Sequence, residues 1–170
     1  MKPLALAFLI LGVTASSLVA GDARRPTNPG TDDLSRHIAT TATPGSQTTL
    51  RDASGRSLGA ASTTGTRTTF RDSSGRTTGV ASVEGNRTVF RDSSGRTVWT
   101  ATPAGTQTTT YRDASGRTLS TEAKTGVATT FRDASGRTTS TVQQTGTSVT
   151  ARDASGRTAG IGQTTGAKQQ

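Results

Sequence analysis

The chain has 170 residues, of which 29% are hydrophobic and 4% aromatic, and its formal net charge is +9. That apolar share lies well below the about 45–50% usual in globular domains, and the absence of Cys excludes disulfides and thiolate metal sites together. A balance this basic, with a sequence pI of about 11.5, directs attention to anionic partners.

Met1-Lys2-Pro3 precedes an apolar run from Leu4 to Val13. A positive charge followed by such a run reads as a secretory signal peptide over residues 1–20, with cleavage after Ala20 or Gly21. The run is shorter than the about 20 residues that span a bilayer, and no later segment is apolar enough, so no integral membrane span is expected. Leu18-Val19-Ala20-Gly21 has the outline of a lipobox, but Asp22 stands where the lipidated Cys is required, which excludes a lipid anchor. The expected location is secreted, extracellular or cell-surface, with the periplasm as the alternative.

Residues 21–40 carry Pro, Asn, Gly and Asp without periodicity and read as a linker, with His37 as a solvated linker side chain. Residues 41–160 hold six tandem units of about 20 residues built on Arg-Asp-x-Ser-Gly-Arg, and residues 161–170 form a tail. The hexapeptides begin at Arg51, Arg71, Arg91, Arg112, Arg132 and Arg152, at intervals of 20, 20, 21, 20 and 20 residues.

Each unit reads strand, turn, strand, turn. Stretches such as Arg67-Thr68-Thr69-Phe70-Arg71 are β-branched and aromatic, as strands require. Asp and Gly bracket a tight turn at Asp52–Gly55, Asp72–Gly75, Asp92–Gly95, Asp113–Gly116, Asp133–Gly136 and Asp153–Gly156, the Gly serving a positive φ. A second turn falls at Gly65, Gly85, Gly105, Gly126 and Gly146. The extra residue of the 21-residue interval is expected as a bulge within Thr108-Thr109-Thr110. Alternation sends Leu50, Phe70, Phe90, Tyr111 and Phe131 to the core.

Two all-β architectures fit. An antiparallel hairpin meander sets Arg51 across from Arg56, and directly opposed like charges are destabilising. A stack of strand-turn-strand repeats, a β-arc solenoid of cross-β type, turns both arginines outward and is favoured. Its charge rows comprise Arg51, Arg71, Arg91, Arg112, Arg132 and Arg152 with their partners Arg56, Arg76, Arg96, Arg117, Arg137 and Arg157. Leu50 and Ala151 occupy the aromatic position in the first and last units, as for end repeats with one unpartnered face.

No catalytic centre is legible: the single His lies in the linker, and no phosphate loop, dinucleotide fingerprint or His-containing zinc pattern is present. Asp-x-Ser-Gly separates Asp from Ser by one residue, unlike the Asp-Ser/Thr-Gly of aspartic proteases, and reads as a turn. One Asp per unit is too sparse for a calcium loop. No cofactor or metal is expected.

Thr130-Phe131-Arg132-Asp133-Ala134-Ser135-Gly136-Arg137-Thr138 and the matching string from Thr110 to Arg117 resemble the YD (Rhs-type) repeats of bacterial surface and toxin-delivery proteins. The match departs in placing Arg between the aromatic and Asp, and toxin encapsulation is not implied. In overall plan the chain is similar to curli-type functional amyloid subunits, which pair a signal peptide with a handful of strand-turn-strand repeats but use Gln and Asn ladders where this chain has Thr.

The functional expectation is therefore a secreted structural protein, not an enzyme, that self-associates through β-stacking into extracellular filaments or a biofilm matrix. The alternative is a monomeric binding module whose Arg rows hold anionic polysaccharide or lipopolysaccharide. Nucleic acid is disfavoured, because the one aromatic per unit is needed inside.

Overall fold

The computed structural model describes residues 29–166; residues 1–20, expected as a signal peptide, residues 21–28 and the last four residues lie outside the described part. Helix α1 (Pro29–Thr41) is followed by β1 (Gln47–Asp52), β2 (Ser57–Thr64), β3 (Arg67–Asp72), β4 (Thr77–Glu84), β5 (Arg87–Asp92) and β6 (Thr97–Pro103). The second half adds β7 (Thr108–Asp113), β8 (Thr118–Thr125), β9 (Ala128–Asp133), β10 (Thr138–Thr145), β11 (Ser148–Asp153) and β12 (Thr158–Thr165). Every strand pairs antiparallel with its sequence neighbours, and β1 pairs with β12 from Gln47–Thr165 to Asp52–Gly160, so the sheet closes into a twelve-strand barrel.

This corrects the favoured architecture. The chain is all-β apart from α1, but it is neither a β-arc stack nor a solenoid: successive strands are bonded edge to edge. The charge objection to hairpins fails because each one that turns on Asp-x-Ser-Gly carries a β-bulge. Leu50 lies opposite Gly59 and Arg51 opposite Ser57, which leaves Leu58 as the extra residue and keeps Arg51 out of register with Arg56. The same shift sets Arg71 against Thr77, Arg91 against Thr97, Arg112 against Thr118, Arg132 against Thr138 and Arg152 against Thr158. The bulge also enriches the interior: Leu58, Val98 and Leu119 pack against the core, and Thr78 and Ala159 are buried.

The turns at the bulged end are locked by their own side chains. Asp52 Oδ1 accepts from Ser54 N (2.9 Å), Ser54 Oγ (2.7 Å) and Arg56 N (2.9 Å), while Gly55, at φ 83°, donates its N–H to the Asp52 carbonyl. The opposite end uses two-residue turns led by a positive-φ glycine, such as Gly65-Thr66 between Thr64 and Arg67, the sign pattern of a type II′ hairpin. The 21-residue interval does not contain the expected Thr108–Thr110 bulge. Pro103 faces Thr109 in unbroken register and Ala104 N donates to Thr108 O, so the added residue lengthens the turn to Gly105-Thr106-Gln107.

Twelve strands enclose more space than their inward side chains fill, since about eight already give an interior just wide enough for side chains. Two features occupy it. Phe70, Phe90, Trp99, Tyr111 and Phe131 form an arc of rings along one wall, with successive centroids 5.7, 5.1, 5.5 and 6.0 Å apart. Helix α1 takes the rest, lying against β10, β11 and β12 with Leu34, Ile38 and Ala39 in the core. Gly160 admits it, since a Cβ there would press on Leu34 Cδ2 at 3.2 Å, whereas one at Gly162 would crowd Thr48 Cγ2 of β1 at 3.1 Å.

Two further expectations change. The first and last repeats are not unpartnered ends, because β1 and β12 pair with each other; their small Leu50 and Ala151 are buried in the same cluster as α1. The described part of the supposed linker is that helix, and His37 is buried rather than solvated. The supposed tail supplies most of β12.

Gly59 has φ 143°, and a Cβ there would overlap the Arg71 carbonyl oxygen of the neighbouring strand. Gly59→Ala is expected to cost about 2–4 kcal/mol through backbone strain and displacement of β3, measurable by denaturant unfolding of the folded chain.

Candidate functional site, an arginine-rimmed barrel mouth

Because strands alternate in direction, all six Asp-x-Ser-Gly turns fall on one rim of the barrel. All twelve hexapeptide arginines are exposed there. Adjacent hairpins are two strands apart, so equivalent arginines recur about every 10 Å around the rim.

The two arginines of each unit behave differently. Arg51, Arg71, Arg112, Arg132 and Arg152 fold over their own turns and donate Nη1 to the carbonyls of Gly55, Gly75, Gly116, Gly136 and Gly156 at 2.9–3.2 Å. Arg91 instead reaches Thr97 Oγ1 at 2.8 Å and Glu84 at 3.4 Å. The guanidinium groups of Arg56, Arg76, Arg96, Arg117, Arg137 and Arg157 make no hydrogen bond or ion pair among the described residues; only their backbone N–H groups are used, by the turn aspartates.

The turn carboxylates are held ionised. Hydrogen bonds from the Ser hydroxyl, the largest cause, and from backbone N–H groups lower the pKa of Asp52, Asp72, Asp92, Asp113, Asp133 and Asp153 below 3.8. The rim therefore sets twelve permanent cations against six anions that are already engaged with their own turns. The opposite rim is sparser: Arg67, Arg87 and Lys124 lie toward it, and Glu84 pairs with Arg87 at 3.5 Å and with Arg91 at 3.4 Å.

A second polar cluster lies inside the barrel. Arg36 Nη1 bonds Asp33 Oδ1 at 2.8 Å, and Asp33 Oδ2 accepts from Thr139 (2.9 Å) and Ser140 (2.7 Å) on β10. Further round the wall, the Arg36 guanidinium lies 5.9 Å from the Tyr111 ring centroid, and Tyr111 OH donates to Glu122 Oε2 at 2.5 Å. Burial raises the pKa of Tyr111 well above 10 and is also the main cause of the raised pKa of Glu122. These contacts tie α1 to β10 and, three strands round the barrel, to β7. Burial, with a smaller push from the Lys124 charge, lowers His37 to about 4 and keeps it neutral.

The anticipated turn and charge-row residues thus gather on one rim, and Leu50, Phe70, Phe90, Tyr111 and Phe131 line the lumen. Sequence reasoning missed Trp99 as the fifth ring, and it missed Asp33, Arg36, His37 and Glu122 as interior groups. The signals present were Pro29 at the first helical position, Asp32 in the first turn, and Leu34 and Ile38 spaced i, i+4.

The outward wall carries Thr49, Thr69, Thr110, Thr130 and Thr150 beside the inward-facing core residues, whereas a lipid-facing wall carries an apolar band. No helix among the described residues is long and apolar enough to cross a membrane. Comparison of the chain with family models, curated proteins and solved structures finds no match.

The folded pKa of His37 lies below its ordinary 6.5, so the site contributes full stability above that value and loses it as pH falls toward 4, where the unfolded chain binds the extra proton. Thermal unfolding is expected to show a falling melting temperature from pH 6.5 to 4 that His37→Gln flattens. Tyr111→Phe removes the hydroxyl donated to buried Glu122, and chemical denaturation is expected to show a loss of about 1–3 kcal/mol.

Proposed function

We propose that the protein is an exported, monomeric binding module whose arginine-rimmed mouth holds anionic polysaccharide. The observation that carries this reading is the set of six guanidinium groups, at Arg56, Arg76, Arg96, Arg117, Arg137 and Arg157, that are exposed on one rim and make no hydrogen bond or ion pair among the described residues. Planar guanidinium forks match carboxylate and sulfate oxygens in pairs, and a recurrence of about 10 Å suits a ligand whose charges also repeat. The filament expectation drew its force from open strand edges. In the closed barrel β1 and β12 use those edges on each other, which favours the single-chain module. The aromatic rings that a single-stranded nucleic acid would need for stacking are buried.

The rim reading separates from a bulk-charge effect by location. On a heparin column, Arg96→Ser/Arg117→Ser/Arg137→Ser is expected to elute at clearly lower salt than Arg67→Ser/Arg87→Ser/Lys124→Ser, although both lose three cations. Equal elution of the two triple variants, or a wild-type chain that passes unretained at low salt, would sink the proposal. Lipopolysaccharide in place of heparin tests the other anionic glycan surface.

A further inference from the structure

The barrel has a second mouth of opposite chemistry. Between the C-terminal end of α1, the β10–β11 turn, the end of β12 and the start of β1 lies a cavity of about 230 Å³. Its polar lining comes from His37, Ser46, Thr48, Gln144 and Thr164, and an apolar strip comes from Ile38 and Val149. No charged side chain lines it among the described residues.

Each polar group has capacity to spare. Thr48 Oγ1 and Thr164 Oγ1 share one hydrogen bond at 2.9 Å, and a hydroxyl is one donor with two acceptor positions, so both retain sites. His37 is only 5% exposed, and its Nδ1 has no hydrogen-bond partner among the described residues. The end of α1 adds main-chain carbonyls at the negative pole of the helix, which repels anions and accepts from hydroxyl donors. The size restricts the occupant: the cavity is smaller than the about 300–1,000 Å³ of drug-sized clefts and equals the space of roughly seven or eight waters at about 30 Å³ each.

We infer that this mouth is a binding site for a neutral, polyhydroxylated small molecule of monosaccharide size. Hydroxyls of the ligand meet Thr48, Thr164, Ser46 and Gln144, and its C–H face lies on Ile38 and Val149. A carboxylate or phosphate in the same place finds no cation in the lining, the Lys124 charge acting on His37 from outside it, and faces the end of the helix. The site is at the far end of the barrel from the arginine rim, so it stands or falls independently of polyanion binding there.

His37 is the only histidine in the chain, so its ring resonances report on this cavity without assignment ambiguity. Titration of the folded chain with glucose, galactose, mannose and myo-inositol is expected to give a saturable His37 shift with at least one of them, with Kd on the order of 1 mM. Glucuronate is expected to bind at least about tenfold more weakly, which is about 1.4 kcal/mol. Val149→Phe, which fills the cavity, and Thr48→Val, which removes one hydroxyl, are each expected to weaken the neutral ligand by a similar factor while leaving heparin retention unchanged. No saturable shift with any of the four compounds overturns the inference, as does undiminished binding by both folded variants.

Discussion

The volume inside a twelve-strand barrel governs the rest of this molecule. Closing twelve strands satisfies every sheet edge, but it leaves a lumen that the inward residues of a repeat with one large side chain cannot fill. A helix about 10 Å across must share that space with the arc of five rings. The distribution of large and small side chains follows directly. Rings stand on β3, β5, β6, β7 and β9, and small residues (Ala151, Gly160 and Gly162) stand on β11 and β12, where the helix lies. What distinguishes the repeats from one another is the shape of the object they enclose.

The interior is also unusually polar, which reconciles a 29% hydrophobic composition with a packed core. Inward threonines pair across strands, Thr63 with Thr68 at 3.0 Å and Thr48 with Thr164 at 2.9 Å, so the burial of these hydroxyls is compensated, whereas those of Thr78 and Ser120 have no partner among the described residues. Asp33, Arg36, Tyr111 and Glu122 connect the helix to β10 and β7. Among the described side chains of α1, Leu34, Ile38 and Ala39 join the apolar core, so these directional contacts define its rotation and depth in a way that three apolar side chains could not. Buried polar groups demand specific partners, and that demand is a source of structural uniqueness.

The two mouths differ because the two turns of the repeat differ. Strand alternation sorts every Asp-x-Ser-Gly turn to one end and every type II′-like turn to the other, so a single 20-residue grammar yields one densely cationic rim and one sparsely charged rim. The bulge beside each Arg-bearing turn keeps paired arginines out of register and permits the cation density to build up. Arginine crowding and hairpin pairing are thus compatible in this fold, a compatibility that depends on a local register shift rather than on charge neutralisation.

Period, strand and turn positions, and the inward set Leu50, Phe70, Phe90, Tyr111 and Phe131 were all legible in the sequence, because alternation and turn chemistry act over a few neighbouring residues. The choice between stacking and hairpin pairing was not. It turned on a one-residue bulge whose effect is to replace Arg56 by Ser57 opposite Arg51, and no composition rule registers that. Closure was also invisible, since the β1–β12 pairing joins residues more than a hundred positions apart that carry no mutual signature. The helix was obscured for a related reason: with two large apolar side chains among thirteen residues, it reads as a linker until a lumen exists to receive it. Local chemistry determined the repeat unit by itself; long-range pairing and the need to fill the enclosed volume decided the barrel, the interior helix and the separation of its two mouths.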